Sequence, residues 1–586
     1  MGLNKDVKYA LGYHESTKHS EISLGASRHY LDFDNKPIPF KIYLELPSIP
    51  LPINFPTPDA NAISCIANSI YQTPYDRKRS TTGTATRSMP ENNAASVTST
   101  SKLDVEDLAE ILFFSGGITR EMKYPYGTYY MRAASATGAL YPIELYVVCD
   151  DLSPTLKAGV YHFSPADFSL TQIRRGIYKS YIAEIANNQD ILSSPVTIIF
   201  TSLAWRNAWK YQARSYRHWF WDSGVIAANL LATTAAMGVP ARIAMGFVDD
   251  SVDKLLHLED KKEAAIAIAA LGTGLSLDNT SARQQQQQAE LGKIEYGSSL
   301  NIRPLSKSGE INYPEIWELN RASSLSSKEE VMQWINNAHT SDYLLARKSY
   351  LTQEKRAKHD VNSLIPDELR EEIKDSISLT KTILQRGSSR RFARSAISLS
   401  TLKTILYSST RGVPMDILSD GNSLIDIYFI ANAIDGLTPG AYFYNRNADP
   451  DSNAYFNKIK QIAASRKIAA YLCLGQSLFG EASAVFFLLT DLRSVLASLG
   501  NRGYRACQFE AGIIAGKIYL AAYALGIGAS GSTFFDDAVT EFLSPHATNK
   551  NTMIAVGVGV PAYKSRPGKI LPVRLTKEQL LRYDFN

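Results

Sequence analysis

Two arginines that flank a serine stand out in the second half of the chain. In the segment QRGSSRRFARS, Arg386, Ser388 and Arg390 alternate, so a guanidinium group stands on either side of a hydroxyl. A guanidinium binds phosphate through two charged hydrogen bonds, and a hydroxyl with neighbouring amides can complete the contact. The same residues also fit a solvated basic turn, and their types alone favour neither interpretation.

The segment YYMRAASATGALYP, in the first half, is rich in small residues and leads into a strand through Tyr141 and Pro142. Small side chains allow a flat ring to lie close against the backbone. An ordinary tight turn before a strand is the alternative. The candidate ring contacts are Arg132, Ala134, Ser135, Ala136, Gly138, Ala139 and Leu140.

The elements that must position these residues occur twice along the chain. RSYRHWFWDSGVIAANLL, from Arg214, aligns without a gap with RGYRACQFEAGIIAGKIY, from Arg502, and arginine, tyrosine and glycine recur at matching positions. A strand, turn and strand pattern recurs after Ile143 and after Ile425. Because the repeated segments keep their order, we predict a tandem duplication of one α+β domain, with a central antiparallel or mixed sheet flanked by helices.

Polar, low-complexity stretches divide the chain. Five consecutive glutamines predict a linker over residues 279–310, and residues 77–101 of the first half are predicted to form a long exposed loop. The predicted divisions are an N-terminal extension (1–60), a first domain (61–278), the linker (279–310), a helical lead-in (311–380) and a second domain (381–586).

Composition excludes several classes of protein. A chain of 586 residues with 45% hydrophobic and 20% charged residues is typical of a soluble protein of at least two domains. The net charge of +5 is scattered, which argues against nucleic-acid binding, and four widely spaced cysteines predict neither disulfides nor a metal site. The N-terminus lacks a secretory signal, so we expect a cytoplasmic protein. The uncharged stretch 223–241 lies in the repeated helical segment, whose second copy carries Glu510 and Lys517, so no membrane span is expected.

Together, the basic segment, the small-residue turn and the Arg-x-Tyr-Arg helix start resemble the nitroreductase superfamily, and in particular the SagB-type azoline dehydrogenases. The resemblance covers roughly residues 100–275 and 380–565. It implies FMN at a dimer interface, where one subunit holds the phosphate and the other shelters the isoalloxazine ring. A fused duplication would supply both partners as an intramolecular pseudo-dimer.

The two halves keep different motifs. Opposite the basic segment, the first half has residues 92–96 without a cation, or residues 78–82 if the nearby loop is an insertion. In place of the small-residue turn, the second half has residues 418–424, which include Asp420. The resemblance therefore implies one principal FMN, with its phosphate on the second half and its ring on the first.

The resemblance assigns further cofactor contacts in the second half. Ser530 and Gly531 lie where the family places a glycine-rich loop beside the flavin. Lys564 and Arg566, after the last predicted strand, could complete the phosphate charge, although a solvated basic turn fits them equally well.

Lys210 and Tyr211, directly before the repeated helix, match a Lys-Tyr pair that the family uses to remove a proton from its substrate. The aligned residues of the second half are Ser498 and Leu499, which cannot do so. In a dry flavin pocket, a lysine or tyrosine could act as base while a hydride passes to the flavin. Packing at a helix start is the alternative role.

The resemblance implies an FMN-dependent oxidoreductase that oxidises an azoline on a peptide, or a related small-molecule unit, with a cyclodehydratase as a partner. An NAD(P)H-dependent reductase of nitro compounds or quinones would use the same flavin pocket. A non-catalytic flavin-binding or peptide-binding pseudoenzyme is the third alternative, because motifs have decayed in each half and Ala134 stands where the family often has proline.

Overall fold

The computed structural model of the protein describes residues 2–69, 86–87, 103–125, 127–272, 300–347, 369–418 and 421–582. It contains two large sheets, one in each half, with helices packed against both. The predicted α+β fold with two related domains is confirmed, and the strands of both sheets pair antiparallel.

The helices of the first half include two very short ones and one long central helix. They are α1 (Lys8–Ser16), α2 (Glu21–Ala26), α3 (Ala62–Asn68), α4 (Val105–Gly116), α5 (Lys179–Ile185), α6 (Gln189–Ser193), α7 (Ala204–Tyr211), α8 (Ser215–Met237) and α9 (Asp249–Leu256). Short 3-10 turns span Leu3–Lys5, Phe33–Asn35, Thr137–Ala139 and Gln212–Arg214.

The lead-in and the second half contain a second set of helices, again with one long central member. They are α10 (Pro314–Ala322), α11 (Lys328–Thr340), α12 (Asp342–Leu345), α13 (Arg370–Asp375), α14 (Leu379–Gln385), α15 (Leu399–Ser409), α16 (Ser465–Leu472), α17 (Ser477–Glu481), α18 (Leu492–Leu499), α19 (Arg502–Ala524), α20 (Asp536–Leu543) and α21 (Lys577–Arg582).

The strands of the first half are β1 (Ser48–Pro50), β2 (Thr57–Pro58), β3 (Thr86–Arg87), β4 (Ile118–Tyr124), β5 (Gly127–Arg132), β6 (Ile143–Cys149), β7 (Gly159–Ser164), β8 (Ser169–Arg175), β9 (Val196–Leu203), β10 (Ala241–Ala244) and β11 (Glu263–Leu271). Those of the second half are β12 (Asp426–Ala431), β13 (Gly440–Tyr444), β14 (Phe456–Gln461), β15 (Ala484–Thr490), β16 (Gly528–Ser532) and β17 (Asn551–Gly559).

The two sheets have the same strand order, which reflects the duplication. The first sheet runs β1-β8-β7-β6-β9-β11-β10 and the second runs β14-β13-β12-β15-β17-β16. The first therefore matches the second strand by strand and adds β1, from the N-terminal extension, at its edge. The central strands β9 and β15 are wholly buried, which explains their continuous apolar sequences.

The long helices α8 and α19 pack directly against each other and join the two halves. A Cβ atom on Gly224 would lie 2.6 Å from the carbonyl oxygen of Phe509, and one on Gly512 would lie 2.7 Å from the carbonyl oxygens of Phe220 and Trp221. Only glycine allows the two backbones to approach so closely. The glycine that recurs in the sequence repeat thus marks the point where the two helices meet.

This close approach predicts a large effect of a single methyl group. Gly512→Ala should lower the free energy of unfolding by about 1–3 kcal/mol, because the backbone of α8 must move away. Gly12→Ala is the matched control, since Gly12 is an exposed helical glycine with no atom within 4 Å of the added methyl group. Urea denaturation of both variants measures the difference, and equal effects would contradict the proposed crossing.

Buried ion pairs that repeat with the duplication also join the halves. Each aspartate at the start of a short helix binds two arginines at the start of the other half's central helix, with N to O distances of 2.6–2.9 Å. The pairs are Arg214 and Arg217 with Asp536, and Arg502 and Arg505 with Asp249. Each half therefore neutralises charges of the other, as expected of an intramolecular pseudo-dimer.

The ends of the chain also cross between the halves. In the N-terminal extension, Ala10 N donates to the side-chain oxygen of Asn501 at 3.0 Å, while β1 pairs with β8. In the C-terminal tail, Lys569 N donates to the carbonyl oxygen of Thr119 at 2.7 Å.

The glutamine run and nearly all of the predicted loop at 77–101 lie outside the described residues. Within the described ranges, no helix is both long and apolar enough to cross a bilayer.

Candidate active site

The basic segment of the second half meets the small-residue turn of the first half. Arg386, just after α14, is buried and donates from Nε to the carbonyl oxygen of Ala133 (2.8 Å) and from Nη2 to that of Arg132 (3.0 Å). Its Nη1 makes no hydrogen bond to a described residue. Arg386 therefore both joins the halves and keeps one donor for an anion.

No carboxylate of the described chain pairs with Arg386. Burial lowers its pKa, while the nearby Tyr141, Tyr519 and Tyr523 raise it and Arg120 lowers it further. An arginine remains charged in such a site, so its positive charge is left uncompensated. A bound phosphate would compensate it.

Ser388 and Arg390 continue the basic segment toward the surface. Ser388 is half-buried, with its Oγ 3.4 Å from the hydroxyl of Tyr519. The backbone N of Arg390 donates to the hydroxyl of Tyr563 at 2.9 Å, while the Arg390 side chain is exposed. Both side chains are therefore accessible to a ligand that approaches from solvent.

The glycine-rich strand β16 lies beside the basic segment. The backbone N of Ser389 donates to the carbonyl oxygen of Ala529 at 2.8 Å, which fixes the two segments side by side. Ser530 is buried and Gly531 is exposed, and the Gly531 N donates to the hydroxyl of Tyr519. Tyr519 thus contacts both segments of the predicted cofactor site.

The two C-terminal cations predicted to complete the phosphate site lie in the turn after β17. Phe392, in the basic segment, forms a backbone bridge with Pro561 at the start of this turn. Lys564 and Arg566 are both exposed. The structure therefore brings their segment to the basic segment without fixing the two side chains.

The small-residue turn presents an exposed glycine to the catalytic candidates. Gly138 has φ of 65°, and a Cβ atom there would lie 2.8 Å from the hydroxyl of Tyr211. Ala134 is buried, whereas Ser135 and Ala136 are half-buried. Ala139 is half-buried and Leu140 is buried. The left-handed backbone at Gly138 favours glycine, and a side chain there would press on the Tyr211 hydroxyl. Ala139 and Tyr141 of the same turn also have positive φ, at 54° and 50°.

Lys210 and Tyr211 end helix α7 beside this turn, with the Lys210 Nζ 5.4 Å from the centre of the Tyr211 ring. Burial lowers the pKa of Lys210, and Arg390 lowers it further. Burial raises the pKa of Tyr211, and Asp222 raises it further. Lys210 is therefore shifted toward the neutral amine that can accept a proton, while Tyr211 remains a donor. Since Arg390 belongs to the second half, both halves determine these properties.

Comparison with known proteins identifies the fold. A sequence model of the nitroreductase family matches residues 98–273 and 383–560. The chain belongs to the nitroreductase family. Each half matches separately, so the predicted tandem duplication is confirmed.

A crystal structure of a protein from Anabaena variabilis, provisionally named a nitroreductase, has this tandem fold. It aligns with 94% of this chain and 99% of its own, with a TM-score of 0.65 and 23% identity. The trifolitoxin-processing protein TfxB of Rhizobium leguminosarum is 28% identical over 151 residues, which cover 25% of this chain and 40% of TfxB. The microcin B17-processing protein McbC of Escherichia coli is 24% identical over 140 residues, which cover 23% of this chain and 52% of McbC. This chain thus spans about half the length of these two relatives.

Nitroreductases are generally flavin-dependent oxidoreductases that typically bind FMN, and the residues of this nitroreductase fit that cofactor. The donor set for a phosphate is present in the uncompensated Arg386 with Ser388 and Arg390. The exposed Gly138 and Gly531 leave backbone open on the neighbouring surfaces. These residues would hold the cofactor from both halves.

Arg132 meets the basic segment of this nitroreductase through its backbone. Its guanidinium lies over the Tyr141 ring at 4.9 Å and donates to the carbonyl oxygens of Pro39 (2.6 Å) and Ile143 (3.4 Å). The side chain is thus directed into the first domain, and its carbonyl oxygen faces Arg386. Sequence reasoning could not give this direction.

Sequence reasoning missed Asp222, which holds the turn in place. This buried residue of α8 accepts hydrogen bonds from Thr137 N (2.9 Å) and Thr137 Oγ1 (2.7 Å). The available signal was an acid inside an otherwise apolar stretch, aligned with Glu510 in the repeat. Burial raises the pKa of Asp222 from 3.8 to about 7.

This raised pKa predicts a pH-dependent contribution to stability. The Asp222 carboxyl holds its proton more tightly in the folded than in the unfolded chain, so it favours folding fully below about pH 4 and this contribution is lost as the pH rises to about 7. Relative to Asp222→Asn, the unfolding free energy of the unsubstituted chain should fall over this range and then level off. Urea denaturation at several pH values measures it, and a difference that is constant with pH would contradict it.

The second half carries no equivalent open turn in its described residues. Ser423 and Leu424 are buried, and Leu424 N donates to Glu510 Oε2 at 2.8 Å. Arg347, from the lead-in, donates from Nε to the carbonyl oxygen of Ser423 at 2.7 Å. Leu418 is also buried, whereas Asp420 and the first-half segments 78–82 and 92–96 lie outside the described residues.

Proposed function

We propose that this nitroreductase is an FMN-dependent oxidoreductase with one principal flavin held between its two halves. The observation that carries the proposal is the contact of Arg386 with the carbonyl oxygens of Arg132 and Ala133, because it joins the phosphate motif to the ring motif. Arg386, Ser388 and Arg390 would hold the phosphate, with Lys564 and Arg566 adding charge. Residues 134–140 would lie against the ring, and Ser530 and Gly531 would lie near its edge.

Bound FMN would supply a two-electron acceptor for a hydride. Lys210 would take the accompanying proton from the substrate, since burial and Arg390 favour its neutral amine. Tyr211 would keep its proton and donate a hydrogen bond from beside Gly138. The substrate thus loses one proton to the protein and one hydride to the cofactor.

A SagB-type reaction is the finer proposal, in which the substrate is an azoline ring on a peptide and a cyclodehydratase partner makes that ring. The similarity to proteins named for processing microcin B17 and trifolitoxin supports it. The surface near α7 would suit a peptide, because Tyr30 and Phe33 are 78% and 63% exposed and Phe33 packs on Trp209, the neighbour of Lys210.

Flavin stoichiometry tests the cofactor proposal. We expect the full chain, saturated with FMN and freed of excess by gel filtration, to show the visible flavin spectrum with one FMN per chain. A colourless protein that takes up no FMN would refute the proposal and favour the pseudoenzyme. Two FMN per chain would show that the second half also shelters a ring.

Anaerobic single-turnover experiments test the reaction. A thiazoline-containing peptide should bleach the flavin absorbance and yield the thiazole, whereas NADPH should reduce the flavin only slowly. Rapid bleaching by NADPH with no reaction of the peptide would instead identify an NAD(P)H-dependent reductase.

A further inference from the structure

The second half contains a cavity at the position that the duplication relates to the small-residue turn. The cavity has a volume of about 200 Å³, whereas its counterpart in the first half, between the small-residue turn and Asp222 and Ile226 of α8, measures about 10 Å³. The proposed flavin ring would lie on the other, exposed face of that turn, at Gly138. The lining residues Ser423, Glu510 and Ile514 of the larger cavity align with Tyr141, Asp222 and Ile226 of the smaller one. The two cavities are therefore the same place in two copies of one domain.

A change of side chain explains the difference in volume. In the first half, the Tyr141 ring fills the space beneath Arg132. In the second half, the aligned Ser423 is small and turns its hydroxyl to the carbonyl oxygen of Ile425 at 3.2 Å. A cavity of 10 Å³ holds at most about one water, whereas 200 Å³ holds a small organic molecule. Pockets for drug-sized ligands and cofactors begin at about 300 Å³, so a flavin is not the expected occupant of the 200 Å³ cavity.

One of the two arginines in this cavity lacks a charged partner. Arg347 pairs with Asp426 at 2.7 Å, and Asp426 also pairs with Lys550 at 2.8 Å. Arg446 instead donates from Nη2 only to the carbonyl oxygen of Arg347, at 3.2 Å, and pairs with no carboxylate of the described residues. Its guanidinium is therefore suited to bind a carboxylate in the cavity.

Two buried oxygen atoms that line the cavity also lack hydrogen-bond partners. Glu510 Oε2 accepts from Leu424 N, and the Ser423 hydroxyl lies near the same carboxyl while it donates to the carbonyl oxygen of Ile425. Glu510 Oε1 and Ser409 Oγ have no partner among the described residues. Leaving such groups unsatisfied costs about 1–3 kcal/mol each, so a donor is expected in the cavity. Burial also raises the pKa of the Glu510 carboxyl, and a cation beside it would offset this cost.

We propose that this cavity binds a compact aliphatic α-amino acid. Its carboxylate would pair with Arg446, and its ammonium group would donate to Glu510 Oε1. The aliphatic walls that would receive its side chain are Val413, Ile425, Ile427 and Ile514. This site is separate from the composite cofactor site, so its test does not depend on flavin binding or on redox activity.

Isothermal titration calorimetry of the full chain tests the proposal with L-leucine as the probe. We expect saturable binding of L-leucine, and binding at least about tenfold weaker for 3-methylbutylamine, which lacks the carboxylate, and for 4-methylpentanoate, which lacks the ammonium group. Arg446→Met should weaken L-leucine binding to a similar degree. Arg493→Met, an exposed arginine of α18 outside the cavity, should leave binding unchanged.

A second variant separates the two charged contacts. Glu510→Gln keeps an acceptor for Leu424 N, so it should fold, and it should weaken binding of L-leucine but not of 4-methylpentanoate. Absence of saturable heat with all three probes would show a water-filled cavity and overturn the proposal. Equal affinity for L-leucine and 4-methylpentanoate, or an unchanged affinity in Arg446→Met, would overturn the assigned ligand class.

Discussion

Methionine at both Arg386 and Arg390 is expected to remove most of the FMN from the protein. A hydrogen bond to a charged group contributes about 1.5–3 kcal/mol, so losing two should weaken FMN binding by about a hundredfold or more. Methionine keeps an unbranched apolar stem at each position and removes the guanidinium group with its charge and hydrogen-bond donors. Flavin absorbance after gel filtration shows the loss, and fluorescence titration of the apoprotein measures the dissociation constant.

A matched control is Arg391→Met, because Arg391 is an exposed arginine of the same segment and no site role is proposed for it. Since Arg386 also holds the first-half turn, its loss could act by loosening the interface. Arg390→Met avoids this ambiguity, because it should reduce FMN affinity without changing the thermal unfolding of the apoprotein. Undiminished FMN in the double variant would mean that other residues hold the phosphate.

The repeat made the duplicated fold predictable from the sequence. The aligned copies predicted two α+β domains. Because the repeated segments follow the same order in both copies, the two sheets have matching strand orders. The recurring Gly224 and Gly512 were visible in the alignment. The structural role of these glycines was not visible, because it depends on which backbone lies opposite them where the two helices cross. Local periodicity therefore predicts elements and repeats, whereas contacts between elements need the folded chain.

Contacts between distant residues explain what sequence reasoning missed at the site. Asp536, at the start of α20, binds Arg214 and Arg217 of the other half. Asp222 fixes the small-residue turn from a helix that begins more than seventy residues later in the chain. Neither pairing has a characteristic spacing in the sequence.

The lack of an open turn among the described residues of the second half was only half visible in the sequence. The missing small residues after Leu418 were plain, and so was the lack of a Lys-Tyr pair before α19. The contact of Arg347 with Ser423 comes from the lead-in, a segment without a counterpart in the repeat. The two halves thus differ at corresponding positions: the second has the cavity lined by Glu510 and Arg446, and the first has the catalytic candidates Lys210 and Tyr211.

Lys210→Met is expected to lower kcat for substrate oxidation by about 10²–10⁴-fold, the usual contribution of a positioned base, while FMN content stays the same. In the unsubstituted enzyme the rate should rise with pH as Lys210 loses its proton, and this rise should begin below the ordinary pKa of lysine because burial and Arg390 favour the neutral amine. Lys210→Met should lose that rise. Ser498→Ala, at the aligned position of the second half, is the control and should keep both rate and profile. A variant without Lys210 that retains the rate and its pH dependence would place the proton acceptor elsewhere. The buried carboxyl of Asp222, which raises the pKa of Tyr211 and whose own pKa is raised to about 7, would be the next candidate.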